Sequence, residues 1–564
     1  MPITRPLSSP LKQYSSFLAL VLGLFGFLTL VGYRVLIPTN IAWLNISDPS
    51  TYYLGWEFFR FSQWDFPLGL NPNYGLGISN AILYSDSNPL FAIFFKIFSG
   101  LLPEPFQYFG IWLLFCFLLQ AYFANHLMGL ITEDIFIRLI GTSFFIFSPI
   151  LNWRLHEKIG HLTIAGHFFL LAALYLSLKA LTHPRRNLIA WQALLIVAAA
   201  VNSYLLMITG LFWVTSLIRS PYWVRSEYKW TLILIIMSLG LIVMTCWQVG
   251  YFTVSGDGLY IISDYFNYFR MNVLGIIDPG IPEYGLWSYF IPDVPGDNHQ
   301  HEGFNFLGLG FLLLVPLSIK PLWKFRHQWV GYLKNNIPLF LVLIMLIFIS
   351  LSHKIGIGSW NFQLSLNETI IKILNIFRGH GRMFWPVFYF IYWGVLALII
   401  KGYSKRTAIF IIGLALTIQI IDTSRGWLPI RQFFMMPVSA NWLTPLSDPF
   451  WDEAAQKYKK IYRAPGGNAI PHWVTFAAYA GKNHMATDSV YLGRVSPEAQ
   501  ALANTRTMNA LTTGLYESDA LYILDPGVLP LALPNLNHSQ DQLIYANGFY
   551  VVAPNWNSSN AKQK

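Results

Sequence analysis

The segment from Pro38 to Pro105 reads PTNIAWLNISDPSTYYLGWEFFRFSQWDFPLGLNPNYGLGISNAILYSDSNPLFAIFFKIFSGLLPEP, and it lies between the first long apolar run and the next. Its Asn, Gly and Pro residues would leave backbone groups unpaired in hydrocarbon, and a short connector would have no use for so many aromatic side chains. It is therefore expected to be a loop with a fold of its own. Asp48 follows the first run in NISDPST, where Ser47 or Asp48 is placed to cap a helix carrying Tyr52, Tyr53, Trp56, Phe58 and Phe59. That reading sets a carboxylate at the membrane surface beside an aromatic ledge.

Composition classes the rest of the chain. Of its 564 residues 54% are hydrophobic and only 11% charged, with a mean hydropathy of +0.45, whereas soluble domains carry roughly 25% charged residues. This is the composition of a polytopic membrane protein. The net charge of +10 is spread over short loops between apolar runs, as the positive-inside rule requires, and not gathered into a nucleic-acid-binding face. Cys116 and Cys246 both sit inside apolar runs, which excludes a disulfide framework or a cysteine zinc site.

The first run, 16–37, is too long for a signal-peptide core and reads as a retained helix. Further runs lie near 106–131, 135–150, 162–181, 188–201, 204–218, 230–252, 304–319, 337–351, 383–400 and 408–421, giving an expectation of about eleven spans. The run 89–102 is short, contains Lys96 and is closed by Pro103 and Pro105, so it is expected to lie on the membrane. With it uncounted, Arg185 and Arg186, Arg219, Arg225 and Lys229, Lys320 to Lys334, and Lys401 to Arg406 all face the cytoplasm with the N-terminus. The far side then holds the first loop, the turn 149–160, the loops 253–303 and 352–382, and everything after Asp422. From Arg431 the apolar runs stop and short strand-like pieces follow, among them 473–479 and 520–524. The expected organisation is a transmembrane domain over 1–424, with its first loop at 38–105, and a small soluble α/β domain over 425–564.

Ionisable residues gather on that far side. The first loop offers Asp48, Glu57, Asp65 and Asp86; the segment NWRLHEKIGHLTIAGH offers His156, Glu157, Lys158 and His161. Later loops offer Asp257, Asp264, Asp278, His299, His301 and Glu302, and then Arg378, His380 and Arg382 in FRGHGRMFW. Such groups are costly beside a bilayer, so their convergence marks a functional site. Each has a plainer alternative: Asp48 as a helix cap, Asp86 as the start of a turn before Pro89, Arg378 and Arg382 as snorkelling side chains at a helix start. His156, Glu157 and His161 are spaced to share a helical face, but HExxxH is one residue longer than the zinc-protease pattern, so no metal site is assigned.

The first helix, the long far-side loop with an early acid, the bundle of about a dozen helices and the C-terminal soluble domain together resemble the GT-C superfamily of polyprenyl-phosphate-dependent glycosyltransferases. The segments HEKIGHLTIAGHFFLLAALYL, YFNYFRMNVLGIIDP, HEGFNFLGLG and FRGHGRMFWP resemble, more narrowly, an uncharacterised bacterial membrane-protein family that is a domain of unknown function grouped with that superfamily. The resemblance implies a bacterial inner-membrane enzyme whose C-terminal domain is periplasmic or extracellular. It implies a polyprenyl-phosphate-linked sugar as donor, a glycan, lipid or protein hydroxyl as acceptor, and inversion at the anomeric carbon. In that scheme Asp48 is the general base with Asp86 as second carboxylate, and Arg378, His380 and Arg382 clamp the phosphate. Glu157 and His161 hold sugar hydroxyls or the phosphate's other edge, and Trp56, Trp64 and Tyr74 offer stacking faces. No cofactor is demanded, although a divalent cation is compatible with the carboxylates. The rival reading is a transporter or flippase, for which Gln120, Asn125 and His126 in the second span are the best midspan candidates; a scaffold without activity would leave the convergent charges unused.

Overall fold

The computed structural model describes residues 9–78, 81–254, 265–296 and 301–556; Asp257, Asp264 and His299 lie outside them. Every apolar run picked out above forms helix. Among the described residues six helices are long and apolar enough to cross a bilayer: Gln13–Leu30, Phe109–Met128, Ile135–Trp153, Tyr228–Val249, His380–Gly402 and Lys405–Phe434. A seventh crossing results if Arg326–Asn335 and Ile337–Leu351, which meet at 90°, act as one broken span. Of the about eleven spans expected, six or seven are thus supported by helix length and composition. The others are too short or too polar: Ser203–Leu217 has 15 residues and Leu309–Lys324 has 16, with Pro316 and Pro321 inside. At 1.5 Å per residue, that is roughly 24 Å at most against a hydrocarbon core of about 30 Å. The helix Pro89–Ile97 has 9 residues and cannot cross alone.

Two compact units make up the chain. One comprises Met1–Pro38, Tyr108–Ile242 and Ile261–Pro437. Its helices enclose polar groups that bond one another. Gln120 donates to the Phe145 carbonyl at 3.1 Å and to the Tyr389 hydroxyl at 3.2 Å, and His167 Nδ1 lies 2.8 Å from the same hydroxyl. The helix Lys405–Phe434 runs 30 residues without a break, so the domain boundary expected at residue 425 falls inside it. A two-stranded antiparallel sheet, β1 (Lys354–Ile357) with β2 (Trp360–Gln363), follows the helix Ile337–Leu351.

The other unit joins Thr39–Gln107 and Val243–Tyr260 to Val438–Lys564. The first loop thus packs with the C-terminal region and does not form a compact unit with the helices. A five-stranded sheet is its centre: β3 (Lys460–Ala464), β4 (Ala486–Thr487), β5 (Ala520–Leu524), β6 (Gln542–Ala546) and β7 (Phe549–Ala553), in the order β4-β3-β5-β7-β6. β3 is parallel to β4 and β5, whereas β7 is antiparallel to β5 and β6. The strand expected at 520–524 is β5. The piece expected as a strand at 473–479 is instead the helix Trp473–Lys482, because it crosses over between the parallel β3 and β4 and buries Phe476, Ala477 and Ala480 at helical spacing. The first loop extends this sheet: Thr487 N–H donates to the Asn73 carbonyl at 3.0 Å, and Gly75 N–H to the Thr487 carbonyl at 2.8 Å. Segments that share a sheet edge lie on one side of any membrane.

The helix expected after the first run is present as Ser47–Phe61, but its N-cap is Ile46 and Asp48 sits within the first turn, where a carboxylate still meets the positive helix end. Its aromatic ledge is internal. Tyr52, Tyr53, Trp56, Phe58 and Phe59 are all buried, with Tyr53 stacked on Trp442 at 5.4 Å and Phe58 against Tyr74 at 5.0 Å. Glu57 is buried with them, accepts from the Tyr53 hydroxyl at 3.0 Å and packs near Gly481, where an added Cβ would come within 3.3 Å of its Cγ. Burial pushes its carboxyl from an ordinary 4.5 up to about 7, and Tyr53 and Arg60 offset only part of this.

A buried acid with a raised pKa favours the folded state below its unfolded value and loses that contribution as pH rises through the folded one. Stability of this unit should therefore fall between about pH 4.5 and 7, by on the order of 3 kcal/mol from Glu57. Glu57→Gln, neutral throughout, should flatten that slope in thermal unfolding measured across pH; an unchanged slope would assign the effect elsewhere.

Candidate functional site

Three segments of the helical unit meet around one carboxylate. They are the short helix end and turn from Pro149 to Gly160, the 3₁₀ turn His301–Gly303, and the 3₁₀ turn His380–Phe384 that leads into the helix Trp385–Gly402. Trp153 fastens the first two by donating to the His301 carbonyl at 2.7 Å and stacking on Phe304 at 4.2 Å. The third approaches as closely as glycine permits. A Cβ on Gly381 would lie 2.5 Å from the Glu302 carbonyl oxygen, and one on Gly379 would lie 2.5 Å from Arg382 Nε. The spacing in Gly379-His380-Gly381-Arg382 thus admits both the neighbouring backbone and the guanidinium.

Glu302, 3% exposed, is held from two sides. Arg382 places Nε 2.8 Å from Oε2 and Nη2 2.5 Å from Oε1, a two-pronged grip, and Arg154 places Nη1 2.6 Å from Oε2. His161 Nδ1 lies 3.5 Å from Oε1 and 3.3 Å from Arg154 Nη1. The Arg154 guanidinium stands 5.0 Å from the Trp385 ring and that of Arg382 4.6 Å from the Tyr204 ring. Burial alone would raise the Glu302 carboxyl; Arg382, Arg154 and His161 outweigh it and hold the group ionised, well below the usual carboxylate range. Burial drives His301 and His156 down to about 4, so both are neutral at pH 7. Two guanidiniums against one carboxylate leave a surplus positive charge. Arg154 is fully buried, and its Nε and Nη2 have no hydrogen-bond partner among the described residues.

Of the residues expected from sequence, Arg382 and His161 belong to this cluster. The Arg382 fork, expected on a phosphate, grips Glu302 instead. Glu157 is half-buried in a turn that reverses at Gly160 (φ +59), so it shares no helical face with His156 and His161. Arg378 is half-buried just ahead of Gly379. His380 is enclosed, with Nε2 2.9 Å from the Leu374 carbonyl and its ring edge-on to Phe266 at 4.5 Å, a packing position and not a clamp. Among the described residues no three His, Cys, Asp or Glu side chains assemble as a metal site.

Asp48, Asp86, Trp56 and Tyr74 belong to the other unit. Asp48 and Asp86 are both half-buried, Asp86 in a left-handed conformation (φ +54) just before Asn88 caps the helix Pro89–Ile97. The two acidic segments are tied together, because Ser87 Oγ donates to the Tyr52 carbonyl at 2.7 Å, one turn beyond Asp48. Trp56 is fully buried and donates to the Phe106 carbonyl at 2.9 Å, and Tyr74 is 1% exposed. Neither ring has a face open for stacking on a sugar.

Sequence reasoning passed over Arg154 and counted Glu302 only as one acid among many. The signal was Arg154 itself, an arginine at the end of the apolar run 135–150 and so a cation in need of a counter-charge.

Replacing Glu302 by Gln keeps the shape and leaves Arg154 and Arg382 facing each other uncompensated. The change should cost about 3–5 kcal/mol of stability, measured by unfolding of the purified protein. Because the Glu302 carboxyl is depressed, the wild-type contribution is complete above the ordinary carboxylate value and is lost only as pH falls through the depressed one. The Glu302 contribution should thus be constant between about pH 5 and 8, the opposite of Glu57.

The family model described as a domain of unknown function, DUF6311, matches residues 20–424, and that of the DUF6311 C-terminal domain matches residues 450–554. No curated protein matches the chain. With the first match alone spanning most of the chain, this helical protein, with six candidate membrane spans and an α/β C-terminal region, belongs to the DUF6311 family.

Proposed function

We propose that the chain is a membrane glycosyltransferase that moves a sugar from a polyprenyl-phosphate carrier to an acceptor hydroxyl on the non-cytoplasmic face of a bacterial inner membrane, in assembly or modification of an envelope glycan. The observation that carries this reading is the buried cluster of Arg154, Glu302 and Arg382, with its surplus positive charge and the unused Arg154 donors. Such an environment favours an anion whose charge grows during reaction, as the phosphate's does when it leaves. The resemblance to GT-C enzymes supports the same reading.

In the proposed reaction Asp48 takes the proton of the acceptor hydroxyl, and Asp86 is the second carboxylate. The acceptor oxygen attacks the anomeric carbon opposite the phosphate, the carbon–oxygen bond to phosphate breaks, and its electron pair departs with the carrier lipid. Configuration inverts. Arg382 contributes through Glu302, keeping that carboxylate from neutralising Arg154, and His161 lies beside the same pair.

A transporter or flippase is the second reading, favoured by one observation: the Gln120, Tyr389 and His167 chain inside the bundle, whose members are all buried.

Asp48→Asn distinguishes the two. Loss of a general base reduces the rate by roughly 100- to 10,000-fold, whereas within a first helical turn the charge is worth about 0.3–1 kcal/mol of stability. Transfer from lipid-linked sugar in membranes holding the variant at wild-type abundance should fall to near background while the lipid phosphate still binds. Transfer above about a tenth of the wild-type rate removes Asp48 from the chemistry. A transporter would keep its flux in this variant and lose it in Gln120→Leu.

A further inference from the structure

The segment between the helix Ile337–Leu351 and Arg378 takes no part in the cluster, and its side chains are arranged for a different solvent. Along β2 and its extension, Trp360, Phe362, Leu364 and Leu366 alternate with Asn361, Gln363 and Ser365, so the strand repeat places the four apolar side chains on one face. Among the described residues nothing covers that face: the four exposures are 72%, 52%, 51% and 38%. The intervening Asn361, Gln363 and Ser365 are polar and also exposed, and Asn361 accepts from Arg270 at 2.6 Å. The short helix Glu368–Leu374 continues the pattern with Ile370 and Ile373, one turn apart and 47% and 57% exposed. A contiguous apolar patch of this kind is uncommon on a water-facing surface.

The neighbouring element identifies what covers it. The helix Ile337–Leu351 turns Leu341, Ile344 and Phe348 outward, at 60%, 48% and 61% exposure, as a lipid-facing helix does. Phe348 lies in its last turn, and the hairpin starts three residues after the helix ends. Leu364 N–H donates to the His353 carbonyl at 2.7 Å, which holds the far end of the hairpin back at that helix terminus. The apolar strand face therefore lies next to the end of a helix whose own outward side chains are apolar. Trp360 is of a residue type that favours the membrane–water boundary. An open groove of about 500 Å³ runs beside Trp360 and Phe362, lined also by Leu274, Val294, Pro295 and Ile357, side chains that are all apolar.

We propose that residues 354–374 form an interfacial anchor: the Trp360, Phe362, Leu364 and Leu366 face, with Ile370 and Ile373, is embedded at the headgroup–acyl boundary of the bilayer leaflet bordering the Leu351 end of the helix. The anchor ends four residues before Arg378, so it sets the depth of the turn that presents Arg382 to Glu302. Its test does not depend on the chemistry proposed above.

The test uses the full chain in phosphatidylcholine nanodiscs. Phe362→Cys and Leu366→Cys are each labelled with a polarity-sensitive fluorophore, and Ser539→Cys, in an exposed turn of the C-terminal region, supplies the water reference. Native Cys116 and Cys246 are buried, and the labelled positions are exposed, so the core is undisturbed. Probes at 362 and 366 should emit to the blue of the reference, be quenched several-fold more by lipids spin-labelled near the headgroup, and resist aqueous iodide. Iodide quenching equal to that at Ser539 would put the hairpin in water and overturn the proposal. Protection from both quenchers would mean that a second copy or another protein covers the face, and would overturn it equally. Leu366→Cys decides the matter if Phe362→Cys does not assemble.

Discussion

A carboxylate cannot stay ionised out of water without matched positive charge, and Glu302 is the point at which this requirement organises the helical unit. Arg154 comes from the end of one apolar helix and Arg382 from the start of another, and Glu302 stands on a connecting turn far from both in sequence. None of the three is stable at its depth without the others. Their meeting dictates where the three segments run, and the glycines at 379 and 381 exist in the space this leaves. The cluster is therefore a structural lock as well as a candidate site. Its excess of one cation, and the Arg154 atoms that Glu302 does not use, are what a purely structural pair would lack.

The second unit is built on a different principle. Its sheet has a parallel core of β4, β3 and β5 that needs a helical crossover, and an antiparallel flank that does not. The β4 edge is closed by backbone from the first loop, so the exposed N–H and C=O groups that would invite foreign strands are already satisfied there. The buried aromatic face of the helix Ser47–Phe61 belongs to the same assembly, which explains why a membrane-protein loop is so rich in Trp, Tyr and Phe. These rings form a core.

Local pattern was legible where local physics decides. Apolar runs marked each candidate membrane helix among the described residues, since burial in lipid needs nothing beyond the run itself, and the Ala520–Leu524 strand was readable as a short apolar run containing β-forming Tyr and Ile. The count of crossings was less so, because apolarity alone says nothing of whether 15 or 16 residues reach across. Trp473–Tyr479 was misread because a short apolar run is ambiguous until its neighbours are known, and here parallel strands on either side demanded a helix. Trp56 and Tyr74 carry the same composition whether they stack on a sugar or on protein. The Arg154–Glu302–Arg382 cluster was the hardest to see: its members lie 148 and 80 residues apart, so no spacing encodes them. Only the oddity of charges in apolar surroundings announced that partners existed.

The strand pairing of Tyr74 with Thr487 also has a temporal side. Synthesis proceeds from the N-terminus at about 5–20 residues per second, so the roughly four hundred residues between the two take on the order of a minute to emerge. Throughout that interval the loop has no sheet to join, and the aromatic face of its helix has no domain to cover it. The nascent chain must shelter this surface against the bilayer or a chaperone until the last quarter of the protein arrives. Biogenesis of the first loop is thereby coupled to completion of the chain: a ribosome that stalls before β4 leaves behind a membrane-inserted product whose opening loop cannot finish folding.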